Sequence, residues 1–192
     1  LPSNCYRYQK DRTPTMIVTH WDAALSAKSC FNILKSRGIS SHFVIDNDGT
    51  IYQMVDTYNV GWHAGNRKVN DVSIGIDISN AYYTKYQNYY EKKGFGSRPV
   101  LKDSVVHGRK LGEHLGYYPV QIEAYKALVK SLSAHYDIPL ECPMKNDELI
   151  TTVHEPSAAA EFRGVVSHYH LTKGKIDCAG LPLDEILGDL RN

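Results

Sequence analysis

Ser73-Ile74-Gly75-Ile76-Asp77-Ile78 is apolar or small at nearly every position, with one carboxylate as the exception. Such a run suits a strand buried on both faces. Upstream, Met16-Ile17-Val18-Thr19 is a second short, β-branched run, and it ends at His20. Downstream, Gly164-Val165-Val166-Ser167 repeats the pattern and leads into His168. Two further strands, Ser41 to Ile45 and Thr50 to Met54, flank Asp46-Asn47-Asp48-Gly49, a hairpin turn whose Asn and Gly tolerate positive φ. Helical spacing runs from Ala23 to Arg37, where Gly38 stops it, from Pro119 to Tyr136, and over the tail from Leu183 to Leu190. Ile138-Pro139 ends the second of these and leads toward a short strand. Strands interleaved with helices, plus one hairpin, predict an α/β fold with a central mixed sheet flanked by helices.

The chain has 192 residues, which makes one domain over 1–192 the expectation and allows a sizeable core. Twenty-two Lys+Arg stand against 21 Asp+Glu, a net charge of +1, which argues against a nucleic-acid binder working by bulk electrostatics. No stretch approaches the ~20 apolar residues of a membrane span, and no signal peptide is visible at the start. Residues 81 to 119 read as an insertion, opening with a Tyr-rich tract that is too aromatic for a linker. The four cysteines, Cys5, Cys30, Cys142 and Cys178, are too scattered for a disulfide scaffold, though a pair such as Cys5 with Cys30 is open.

Nine histidines in a neutral protein raise the question of metal. His20 and His168 each end a strand, where a side chain is held rigidly yet faces a cleft. The string after the second, His168 to Gly180, carries His170, Asp177 and Cys178. Catalytic zinc takes three N, O or S ligands and keeps one position open. His20, His168 and one of Asp177 or Cys178 satisfy that requirement.

Five pieces then occur in a telling order: Ile17 to His20, Ser41 to Gln53, Gly61-Trp62-His63-Ala64-Gly65, Asn70 to Asp77, and Val166-Ser167-His168 with Lys175-Ile176-Asp177. In this the chain resembles the zinc-dependent N-acetylmuramoyl-L-alanine amidases of the amidase-2 type, the superfamily that includes peptidoglycan recognition proteins and phage endolysins. The resemblance spans residues 16 to 180. It implies an amidase fold with a zinc site in a surface groove, and hydrolysis of the amide between N-acetylmuramic acid and L-alanine. It implies His20 and His168 as zinc ligands, with Asp177 as the third and Cys178 as its alternate. Asp77 matches the family's acidic strand residue, one methylene shorter than the usual Glu, and is the expected proton carrier. Lys175 is expected to stabilise the oxyanion. Ser41 stands where some phage relatives carry a catalytic Tyr.

Trp62, His63 and Asn70 are the expected substrate contacts, His63 having a packed loop as its other reading and Asn70 a role in fixing its loop. His42 reads as structural. His170, alternating with His168 on an extended chain, either supports the site from behind or lies on the surface. His107, His114, His135 and His154 carry no motif and read as surface. The expected partner is peptidoglycan or a muropeptide, the expected state a monomer, and the expected setting extracytoplasmic (periplasm, cell wall or secreted) or phage-delivered. Two other readings stay open, a non-catalytic recognition module and an amidase of soluble anhydro-muropeptides.

Overall fold

The computed structural model describes residues 1–192. Its centre is a five-stranded sheet of β1 (Met16–Trp21), β2 (Phe43–Ile45), β3 (Ile51–Gln53), β4 (Ser73–Ile78) and β5 (Gly164–Ser167). The spatial order is β5-β1-β4-β2-β3. All neighbours run parallel except β3, which returns antiparallel from β2 through the Asp46–Gly49 turn. Six helices surround it: α1 (Ala27–Arg37), α2 (Arg67–Val72), α3 (Gln87–Lys92), α4 (Pro119–Tyr136), α5 (Glu155–Ala158) and α6 (Leu183–Arg191). None is long and apolar enough to cross a membrane.

The sheet is covered on both faces, and the two-residue period of a strand sorts its side chains between them. Ile17 of β1, Ile74, Ile76 and Ile78 of β4 and Val165 of β5 enter the main core. There they meet Tyr125, Leu128, Val129 and Leu132 of α4 and Leu183, Ile186 and Leu187 of α6. Each fully buried aliphatic of this kind contributes roughly 1.5–3 kcal/mol. The alternate positions Met16, Val18 and Val166 pack with Ala64 and Val69 on the other face, where α1 also covers Val44 through Ala27 and Cys30. Ser73, Gly75 and Asp77 of β4 and His20 of β1 fall in this second phase. The first phase therefore builds the main core, and the second carries these polar side chains beside two smaller apolar clusters.

β4 has the bounds read from the sequence, but α1 starts four residues later than its spacing suggests. Asp22 Oδ1 accepts from the Ala24 N–H at 2.9 Å, Ala23 takes φ 51°, and Ser26 supplies the N-cap by accepting from the Ser29 N–H. No strand follows Pro139 directly; the next pairing is a small ribbon, Met144–Lys145 with Glu148–Leu149. The four cysteines are free and buried, so Cys5 and Cys30 are not a disulfide.

The segment 81–119 folds into α3 and two short ribbons, Val100–Leu101 with His114–Leu115 and Val105–Val106 with Arg109–Lys110. Buried Arg98 ties it to the sheet. Its guanidinium lies 4.5 Å from the ring centres of both Tyr90 and Tyr118, and it donates to Gly116 O, Asn47 Oδ1 and Ser79 O. His114, expected at the surface, is fully buried and stacks on Tyr82 with centroids 5.1 Å apart. His170 is buried too: Nδ1 accepts from the Ser167 N–H and Nε2 pairs with Ile150 O, so both nitrogens serve the backbone.

Candidate metal centre

In open sheets with parallel strands, ligands gather where the strands end. Here β1 places His20 opposite Asp77 of β4 in the ladder, and β5 pairs Ser167 with Thr19 so that His168 emerges beside His20. The loop after His168 folds back and delivers Asp177. His20, His168 and Asp177 are all buried.

Their polar atoms converge. His20 Nδ1 is 3.0 Å from His168 Nδ1, His168 Nδ1 is 3.1 Å from Asp177 Oδ2, and His20 Nδ1 is 3.3 Å from that same oxygen. Zinc with bonds of about 2.0–2.1 Å in tetrahedral geometry holds its donors about 3.3–3.4 Å apart. The triangle is close to one face of that tetrahedron, and the donor set of two imidazoles and a carboxylate is one zinc accepts. These three residues are the group in the chain that could hold a metal ion.

Cys178, the alternate third ligand, points away. Its side chain is fully buried within the main core, and burial pushes the thiol well above its ordinary value. Adjacent residues on this loop face opposite sides, and it is the carboxylate that meets the imidazoles. Burial works against the charge on Asp177, but hydrogen bonding to His168 and the nearness of His20 overcome it and hold the carboxyl below the usual range. His20 is pushed down to about 4, first by burial and then by His168.

A groove of about 230 Å³ opens over this cluster, lined among others by Trp62, His63, Asp77, Lys175 and Arg37. Asp77 is buried at its floor. Burial pushes its carboxyl well above the ordinary value, reinforced by the charges of Asp22 and Asp177 and partly offset by the Ser41 hydroxyl. Asp22, also at the groove, is pushed up to about 6 by burial. Lys175 is exposed, and its backbone carbonyl accepts from His107 Nε2 at 2.9 Å. Trp62 is 40% exposed and lines the groove. A larger cleft of about 860 Å³, lined by Glu141 and Phe162 among others, lies at the opposite ends of the strands and gathers no such ligand set.

Two of the expected substrate contacts sit otherwise. Asn70 is buried and does not line the groove. Its Oδ1 accepts from the N–H groups of His63 and Ala64 at 3.2 and 2.9 Å, so its amide is committed to the loop. His63 reaches the groove wall, but its Nδ1 lies 3.0 Å from His20 Nε2 and its Nε2 lies 3.2 Å from Ser73 Oγ. His42 stands behind it, accepting from the Gly75 N–H at Nδ1 and pairing Nε2 with Asn59 O. The contact of His63 with His20 has its sequence signal elsewhere, in Gly75, where a Cβ would stand 2.7 Å from His63 Cγ. A glycine inside a strand marks such a close approach.

Comparison with known proteins bears on the fold and the family. Among solved structures, the chain is similar to AmpDh3 from Pseudomonas aeruginosa, solved in complex with anhydromuramic pentapeptide (21% identity, 100% of this chain and 66% of that one, TM-score 0.59). It is similar to the endolysin amidase LysCS from Clostridium intestinale (21%, 97% and 88%, TM-score 0.57). A match to AmiD from E. coli covers 70% of this chain and 49% of that one, at 25% identity and a TM-score of 0.46. The chain thus spans two thirds or less of AmpDh3 and AmiD. No curated protein matches it. At these identities the structural likeness speaks for the fold, while the model of the N-acetylmuramoyl-L-alanine amidase family, Amidase_2, matches residues 10–179. That match takes in every converging ligand and most of the chain, and the protein belongs to the N-acetylmuramoyl-L-alanine amidase family.

Proposed function

We propose that this protein hydrolyses the amide between the lactyl group of N-acetylmuramic acid and L-alanine in peptidoglycan, with zinc held by His20, His168 and Asp177. The observation that carries the reading is the buried triangle of two imidazoles and one carboxylate beneath an open groove. Zinc bound there supplies a Lewis acid for the amide carbonyl and lowers the pKa of water from ~15.7 toward ~7.

The chain's own residues carry the remaining steps. Asp77, with a carboxyl that burial makes ready to hold a proton, takes one from the attacking water and passes it to the leaving amine. Lys175, exposed at the groove rim, offers its ammonium to the oxyanion of the tetrahedral intermediate. The exposed face of Trp62 packs against sugar or stem peptide. The full ligand set favours catalysis over a recognition module. We place its action as a monomer on the wall polymer, outside the cytoplasm or delivered by phage.

The test is release of L-Ala-linked peptides from intact sacculi and from soluble anhydro-muropeptides, with zinc content measured in parallel. Asp77→Asn should lose ~10²–10⁴-fold in turnover with zinc still bound. Cleavage of neither substrate by the zinc-loaded protein would sink the hydrolase reading. Preference for the soluble fragment would move the substrate to anhydro-muropeptides.

A further inference from the structure

We infer that His63 is a positioning residue: through a directional hydrogen-bond chain it fixes the tautomer of His20 that offers Nδ1 to the metal. The inference rests on the amidase reading only for what the metal is then used to do.

The chain can be read from its far end. Ser73 Oγ lies 2.6 Å from Val69 O, and a carbonyl can only accept, so Ser73 spends its one proton there. Its oxygen is then left to accept from His63 Nε2 at 3.2 Å, which puts the proton of a neutral His63 on Nε2. His63 Nδ1 is thereby bare and accepts from His20 at 3.0 Å, which puts the proton of His20 on Nε2. The remaining nitrogen, His20 Nδ1, is the one that faces His168 and Asp177. A backbone carbonyl of α2 thus sets, three hydrogen bonds away, the lone pair at the ligand triangle. Partners of this kind orient ligating imidazoles and raise their basicity.

Two other residues hold His63 for this task. Asn70 Oδ1 accepts from its backbone N–H at 3.2 Å, and the absent side chain of Gly75 leaves the space its ring occupies. His168 has no counterpart: its Nε2 is buried without a hydrogen-bonding partner. The tautomer control is therefore built on one ligand.

Nitrogen-15 NMR of the metal-free protein reads the tautomers directly, and competition with a chromogenic chelator reads zinc affinity. The wild type should show His20 and His63 both protonated on Nε2. His63→Phe should release His20 to the Nδ1-protonated form and weaken zinc ~10–100-fold. His63→Gln, whose amide can accept on one side and donate on the other, should recover most of that loss. If His63→Phe does not fold, Ser73→Ala removes the fixed end of the chain and should mix the His20 tautomers. A wild-type His20 protonated on Nδ1, or a folded variant with tautomer and zinc affinity unchanged, overturns the inference. Both readouts are taken without substrate. A protein that shows them yet cleaves no peptidoglycan refutes the hydrolase reading and leaves this one standing.

Discussion

Removing one corner of the ligand triangle should uncouple thermal stability from zinc. A ligand that binds only the folded state at 100 times its dissociation constant stabilises by about 2.7 kcal/mol. Unfolding entropy near 60 °C is about 2.1 cal/mol/K per residue, hence about 0.4 kcal/mol/K over 192 residues. The wild-type melting temperature should therefore rise by about 7 °C in saturating zinc. Asp177→Ala leaves two imidazoles, and a 100-fold weaker affinity at the same zinc concentration gives only about 0.4 kcal/mol, or about 1 °C. Cys178→Ser should behave in the opposite way. A hydroxyl replacing this fully buried thiol costs roughly 1–3 kcal/mol and lowers the metal-free melting temperature, but the zinc increment should survive. Differential scanning fluorimetry of the three proteins with zinc and with chelator makes the comparison. Zinc binding by thiols of the unfolded chain subtracts from every increment, so the difference between variants is the decisive quantity. A full increment in Asp177→Ala, or its loss in Cys178→Ser, would refute the ligand assignment.

Other expectations follow from the same contacts. Gly75→Ala drives a Cβ to 2.7 Å from His63 Cγ and should cost about 1–3 kcal/mol in denaturant melts, with zinc affinity falling alongside. Arg98→Met leaves Asn47 Oδ1 without its donor, takes one of two donors from the carbonyls of Gly116 and Ser79, and removes the cation from Tyr90 and Tyr118; a loss of about 1–3 kcal/mol should appear, together with protease cleavage within 81–119. Acid should destabilise the metal-free protein. Burial pushes His20 and His170 down to about 4 and His42 to about 3, and holds His63 well below its ordinary value, so the unfolded chain takes up protons that the folded one refuses. Stability present above about pH 6.5 is then lost as pH falls toward 4. The raised carboxyls of Asp22 and Asp77 oppose this, two groups against four, so the imidazoles set the sign. Equilibrium melts at pH 7 and 5 measure it, and an unchanged midpoint would contradict the burial of these rings. Trp62→Ala should raise KM with little change in kcat, since its ring is exposed and stands apart from the converging ligands.

The sheet was legible because its strands are short continuous apolar runs, and β4, with every residue buried, left no ambiguity about its ends. The positions of His20 and His168 were legible for a related reason, since a polar residue closing such a run falls where parallel strands stop. Asp177 against Cys178 could not be decided from spacing. The two are adjacent, both suit zinc, and only the path of the loop determines which side chain faces the imidazoles. The start of α1 was misread because Asp22 spends its carboxylate on the Ala24 N–H, a turn-forming bond that apolar periodicity does not register. His114 looked like a surface residue because nothing in its neighbourhood announces that Tyr82 stacks on it. The partnership of His63 with His20 crosses 43 residues, and only Gly75 hinted at it.

The spacing of the ligands along the chain also has a temporal meaning. His20 and His168 are 148 residues apart, and they meet only when β5, the last strand made, pairs with β1, the first of the sheet. Contacts of such separation form late, because the entropy of closing the loop must be met before they contribute. A nascent chain that ends anywhere before His168 carries one member of the triangle at most. The triangle can thus close only after residue 177 has been made, so shorter nascent chains lack the complete metal-holding group.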